Sequence, residues 1–263
     1  MMISTLGKRV LKEVPAKLNM VRKVDYATRK RAVLSATINR YIKEPLPISS
    51  EDIGREFGLS SATIRNIFAD LEEAGYLTHP YTSAGRVPTN KGYRYYVDFL
   101  LSQMELLDDE KSRIVTEYKN KTGRLEDLLE KTSEVASAAT HYTSIVSFFD
   151  WEDKIFYKGV SLILEQPEFQ DIARMRMIIK MIEEKEELLN IINRQCGDAV
   201  RIYIGEELGM PKINNCSLAV SSYKVKKRPA GRVAILGPAR MEYEHIIPAL
   251  EYISEVLSDF LDD

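Results

Sequence analysis

The chain has 263 residues, 44% of them hydrophobic and 29% charged, with a formal net charge of −2. These are values for a globular chain long enough to bury two cores of ordinary size, and they exclude a disordered or low-complexity protein. Two cysteines, Cys196 and Cys216, are too few for a disulfide framework, and no apolar run reaches the length of a membrane span.

Residues 1–24 are basic, weakly periodic and lack a long apolar stretch, so they read as an extension and not a signal peptide, with Met20 as an alternative start. A first helix is expected from Asp25 or Thr28 to about Tyr41, with Ala32, Val33, Ala36, Ile38 and Ile42 on its core face; Pro45 and Pro47 stop it. Ser49 or Ser50 then caps a short helix, SEDIGREFG, whose Glu51 and Asp52 sit where the helix dipole favours acids. Gly58 closes it.

The next segment, from Leu59 to Leu101, organises the rest. Ser60 or Ser61 caps a helix whose buried side is Ile64, Ile67, Phe68 and Leu71. Its other side carries Ser61, Ala62, Arg65, Asn66 and Ala69, short or hydrogen-bonding side chains that suit a major groove. Gly75 ends the helix. Residues 76–79 and 86–87 form a β-ribbon, with Arg86 expected near its tip, and Thr89 or Asn90 caps a further helix running to about Met104. Helix, helix and ribbon together make a winged helix-turn-helix.

Beyond residue 107 the pattern changes. Asp108 to Glu110 open an acidic-capped segment, and Leu125, Leu128, Leu129, Thr132, Val135, Ala136 and Ala139 form one stripe, a core face or a dimer seam. Residues 143–149 and 154–160 read as a hairpin, and a helix is expected from about Asp171 to Asn193. Three more strands, at 200–205, 217–223 and 232–236, precede a last helix from about Glu242 to Leu261 that contains Pro248. The fold class expected is α+β. Residues 1–107 carry 16 Lys and Arg against 11 Asp and Glu, while the remainder carries 21 against 28, so the basic half is the half with the groove-reading helix.

Nothing in the chain has the spacing of a catalytic triad, a phosphate loop or a metal cluster; His79, His141 and His245 are scattered, and no cofactor is expected. Gly237-Pro238 reads as a turn, although Arg240 at a helix start would suit an anion.

SSATIRNIFADLEEAGYL followed by TSAGRVPTNKGYRYYVD resembles the signature of the HrcA heat-inducible transcription repressors. LEQPEFQDI, NNCSLAVSSY and GPARMEY are similar to further marks of that family, in the same order, over about residues 28–262. The resemblance implies a winged helix-turn-helix followed by a GAF-like antiparallel-sheet domain, with domains at 1–24, 25–107 and 108–263. The family also carries a dimerising insertion of roughly 100 residues between segments like HYTSIV and LEQPEF, where only Ser147 to Ile163 intervene here; the GAF-like domain is therefore a reduced one. Where the family has Gly-Ser-Arg, this chain has Ile48-Ser49-Ser50-Glu51, so a basic contact is missing.

The expected mode of action is a homodimer that presents two reading helices to successive major-groove half-sites of an inverted repeat in double-stranded DNA. Ser60, Ser61, Thr63, Arg65 and Asn66 are expected to approach bases or phosphates, Arg86 to reach phosphate or the minor groove, and Lys91, Arg94 and Tyr95 to add backbone contacts. The resemblance implies repression of chaperonin and chaperone operons in the cytoplasm, with a GroE-type chaperonin helping the repressor to its active fold and heat diverting it. A small-molecule-responsive regulator, sensing through its C-terminal sheet, and an interaction module that has lost DNA binding are the rival readings.

Overall fold

A computed structural model describes residues 25–81, 85–101, 104–118, 124–151, 154–194, 199–210 and 213–262. The basic extension, Cys196 and the tip of the expected ribbon lie outside these residues. The chain divides into two compact units, one ending at Tyr96 and the other beginning at Val97.

The first unit opens with α1 (Tyr26–Lys43), capped by Asp25, whose carboxylate accepts from the Thr28 backbone N–H at 3.0 Å and from its hydroxyl at 2.7 Å. Val33, Leu34, Thr37, Ile38 and Ile42 are its buried face; Ala32 and Ala36 stay half-buried at the margin. α2 (Ser50–Phe57) starts at a Ser49 cap and ends at a left-handed Gly58, and α3 (Ser61–Glu73) follows after a short turn. The turn is tight because Gly54 lacks a side chain: a Cβ there would lie 2.8 Å from the Leu59 carbonyl oxygen.

β1 (Leu77–Thr78) and β2 (Val87–Pro88) pair antiparallel, Leu77 opposite Pro88 and Thr78 opposite Val87. A further bridge joins Ile48 to Arg86, with both N–H···O bonds at 2.9 Å, so the segment between α1 and α2 adds a third rib to the wing. Two prolines, Pro45 and Pro47, hide that rib in the sequence; Ile48, 3% exposed, is its apolar anchor. α4 (Asn90–Leu100) carries the boundary between the units; Tyr93, Tyr96, Val97 and Leu100 are buried, and the helix ends short of the expected Met104.

The second unit is α5 (Asp108–Tyr118), α6 (Leu125–Thr140) and a five-stranded antiparallel sheet. Its strands are β3 (Thr143–Phe148), β4 (Ile155–Lys158), β5 (Arg201–Ile204), β6 (Cys216–Val225) and β7 (Arg228–Pro238), ordered β4-β3-β7-β6-β5. α6 and the last helix, α10 (Tyr243–Asp262), cover one face. The stripe on α6 is thus a core face: Leu129, Thr132, Val135 and Ala136 are buried. On the other face α7 (Val160–Leu164), α8 (Ile172–Glu184) and α9 (Glu186–Ile192) pack Ile163, Ile178, Ile182, Leu188 and Ile192 against Ile145, Leu218, Val220, Ala234 and Leu236. Two helices therefore replace the single one expected over 171–193. The break is Lys185 at φ 51°, a backbone state no helix interior contains, and the apolar period runs on across it because both helices face the same core.

The fold class is α+β, as expected, with a winged helix-turn-helix ahead of a reduced GAF-like sheet domain with flanking helices.

Candidate nucleic-acid interface

The apolar side of α3 is fully withdrawn from water. Ile64 and Ile67 are 0% exposed, Leu71 1% and Phe68 3%, and each such side chain stabilises the unit by about 1.5–3 kcal/mol. That anchoring leaves Ala62, Arg65, Asn66 and Ala69 in solvent on one continuous strip. Apart from Arg65 the strip carries only short side chains, so the backbone of α3 can come close to a partner surface.

At the start of the helix, Ser60 accepts from the Thr63 N–H at 3.1 Å, and the Ser60 and Thr63 hydroxyls lie 2.8 Å apart. Both hydroxyls are engaged in the cap. Ser61 sits under Arg65, whose Nε meets the Ser61 carbonyl oxygen at 3.3 Å and whose Nη2 meets the Ser61 hydroxyl at 3.4 Å. These are long, exposed contacts that a better acceptor displaces easily. Asp70 does not intrude on the strip, because Tyr26 donates to it at 2.7 Å and Lys30 lies 3.6 Å away.

The helix closes with a paired motif. The Tyr76 N–H reaches the Leu71 carbonyl and the Gly75 N–H the Glu72 carbonyl, both at 2.9 Å, with Gly75 at φ +76°. This reverse turn satisfies two helix-end carbonyls and needs a residue free to take the left-handed state. It sends the chain directly into β1.

The remaining expected contacts fall elsewhere. The tip of the wing lies outside the described residues, and Arg86 is the described residue that leads from it into β2. It lies one residue beyond the last ladder pair, on the loop side of the ribbon, bridged through its backbone to Ile48, and its Nη2 is 2.8 Å from the Glu72 carboxylate. Lys91 caps the end of α3, donating to the Ala74 carbonyl at 2.8 Å with its ammonium 4.8 Å from the centre of the Tyr76 ring. Thr89 is the cap of α4 and also donates to the Gly75 carbonyl at 2.7 Å. Arg94 and Tyr95 are half-buried on α4, Tyr95 edge-on to Tyr76 at 5.6 Å between ring centres. Ser61, Arg65 and Asn66 thus share one strip with Ser60 and Thr63 at its N-terminal end, whereas Arg86 and Lys91 brace the ribbon and the turn. Sequence reasoning missed Glu72, which the structure places between the two ribs of the wing; an acid at the end of an amphipathic helix carries no distinguishing pattern.

Among the described residues no group of three or more His, Cys, Asp or Glu side chains is placed to hold a metal ion. Cys216 lies within the core, and burial pushes its thiol up to about 12. In the second unit Gly237 and Pro238 end β7, and the turn before the last helix follows at Ala239 and Arg240, closed by the Met241 N–H on the Pro238 carbonyl at 3.1 Å. Arg240 is spent internally, its Nε 2.5 Å from one Glu168 oxygen, its Nη2 3.2 Å from the other and 2.9 Å from the Gln166 amide oxygen. The stretches LEQPEF and GPARM therefore meet in one part-buried, bidentate pair, and the anion reading of Arg240 falls away.

Residues 106–247 match the family model described as HrcA protein C terminal domain. The heat-inducible transcription repressor HrcA of Brevibacillus brevis is 28% identical over 332 aligned positions, covering 89% of this chain and 97% of that protein. That of Geobacter sulfurreducens is 29% identical over 339, covering 90% and 99%. Both alignments are longer than this whole 263-residue chain, so these relatives contain segments with no counterpart here. A hypothetical protein with a crystal structure at 2.2 Å superposes with a TM-score of 0.75 at 19% identity, over 89% of this chain and 98% of that one. Among the described residues no helix is long and apolar enough to cross a membrane.

Proposed function

This chain belongs to the HrcA family, and from that premise we propose that it is a heat-shock transcription repressor that reads an inverted-repeat operator as a homodimer. The observation that carries the reading is the strip on α3: Ala62, Arg65, Asn66 and Ala69 in solvent, backed by four buried apolar residues and flanked by a short wing. Arg65 and Asn66 have the donor geometry to hydrogen-bond guanine and adenine edges in a major groove. Ser60, Ser61 and Thr63, at the N-terminal end of α3, meet a neighbouring phosphate, where a helix N-terminus favours negative charge. The role is regulatory and not enzymatic. Repression falls on chaperonin and chaperone operons in the cytoplasm, and its strength follows the supply of a GroE-type chaperonin that brings the repressor to its binding-competent fold.

Titration of the full chain against an inverted-repeat duplex and a random duplex of equal length tests this. Arg65→Ala is expected to weaken the specific complex by about 1–3 kcal/mol and to leave the random one nearly unchanged. Equal losses on both would remove Arg65 from base reading. Refolding the denatured chain with and without chaperonin, then measuring the fraction active for DNA, tests the second half of the proposal.

A further inference from the structure

The wing of this protein is held by a short ladder and by the single bridge from Arg86 to Ile48. Its ladder is two residue pairs long, and a ribbon of that length is marginal on its own. Yet a wing assists DNA binding only if it stands at a fixed angle to the helix beside it. Glu72, in the last turn of α3, meets this need. One of its carboxylate oxygens contacts Nδ1 of His79, which leaves β1, and the other lies 2.8 Å from Nη2 of Arg86, which leads into β2. A single carboxylate thus touches both ribs of the ribbon, one residue beyond the last ladder pair on each side. The three side chains are only a quarter to two-fifths exposed, so solvent screens the contacts incompletely.

We propose that Glu72 is a positioning residue for DNA binding, which clamps the wing to the reading helix through His79 and Arg86. The inference rests on the DNA-binding reading above and deepens it. It also reassigns Arg86: the guanidinium holds the wing and does not contact phosphate.

The clamp makes a prediction whose sign is opposite to that of simple electrostatics. Removing an acid near a DNA-binding face should tighten binding by lessening repulsion from phosphate and releasing Arg86 to reach it. The clamp requires the reverse. In the full chain, Glu72→Ala is expected to bind an inverted-repeat duplex about tenfold more weakly, Arg86→Ala to lose a similar factor, and the double variant to lose no more than either alone, because the two side chains act as one unit. The slope of log affinity against log salt should stay the same in all three. Tighter binding by Glu72→Ala, or multiplicative losses with a slope lower by about one phosphate in Arg86→Ala, would overturn the proposal.

Amide hydrogen exchange read on the free protein separates the clamp from its parent reading. Glu72→Ala should speed exchange in the peptide containing Leu77 to His79 about tenfold while the amides of Ile64 to Phe68 in α3 keep their protection. Unchanged exchange in the ribbon would sink the clamp even if DNA binding were intact. A wild-type chain with no preference for any duplex would sink the parent reading and leave the exchange result to decide the clamp.

Discussion

Arg232 on β7 is 5% exposed, yet its contacts among the described residues are the Gly231 carbonyl, 3.2 Å from Nη1, and the Phe149 ring, 4.7 Å from the guanidinium carbon. Its Nε and the hydroxyl of Ser147, directly opposite on β3, are buried without a partner among the described residues. Burying a guanidinium with no carboxylate costs several kcal/mol, and a flat aromatic face recovers a part of that. Arg232→Met keeps the aliphatic stem and discards the charge, so it is expected to raise the unfolding free energy in urea by about 1–2 kcal/mol; a loss would mean that the cation is compensated. Asp52 shows the opposite economy. The Ser49 hydroxyl, 2.8 Å away, and then the guanidinium groups of Arg40 and Arg55 hold its carboxyl below the ordinary carboxylate range against the cost of burial. A group whose folded pKa is depressed contributes its stability above the unfolded value and loses it as pH falls through the folded one. Asp52→Asn should therefore lower the melting temperature at neutral pH and approach the wild type as both are acidified below about pH 4, the ordinary carboxylate value. The wild-type minus variant difference, followed by thermal melts from pH 7 downward, checks the sign.

Among the elements, those written in apolar spacing and caps are the ones the sequence announces. α3 shows it best: Ser60 caps it, four residues at helical spacing bury it, and Gly75 turns the chain away. The solvent-facing strip of α3 is legible by subtraction from the same pattern. Wing bracing is not legible, because Glu72, His79 and Arg86 are separated by seven residues each and meet only through the turn of the ribbon. The β6–β7 hairpin fails for a different reason. Its two-residue turn is Lys226-Lys227, at φ 50° and 65°, where a hairpin of this type ordinarily announces itself as Asn-Gly. With that signal missing, the apolar pattern alone predicts strands that stop at Tyr223 and start at Arg232, whereas the ladder runs on to Val225 opposite Arg228. Two side chains in the left-handed region are strained, and the Lys226 N–H is held by the Asp262 carboxylate at 2.5 Å. Replacing the pair by Asn-Gly removes that strain and leaves the backbone bond. It should stabilise the second unit by about 1 kcal/mol, a rise in melting temperature of roughly 2–4 °C by calorimetry. No change would imply that the lysines sit there at no cost.

At the level of the molecule, one copy offers one helix and one short wing, and a single module of that kind covers about 600–1,000 Å² of surface on DNA. In the proposed function, specific binding at useful affinity depends on a second copy reading a second half-site, whichever part of the chain brings the two together. The phase of the half-sites can be tested without knowing which part that is. Two helices fixed to one body must enter major grooves on the same side of the duplex, about 10–10.5 base pairs apart or a multiple of it. Inserting about 5 base pairs at the centre of the repeat turns one half-site to the far side, and about 10 turns it back while lengthening the span. For a rigid pair, affinity should collapse with the first insertion, to that of a single half-site, and stay low with the second. A pair joined flexibly should fall with the first and recover in part with the second. Mass measurement of the complex fixes the copy number in each case, and one chain per duplex with no dependence on phase would remove the dimer from the reading altogether.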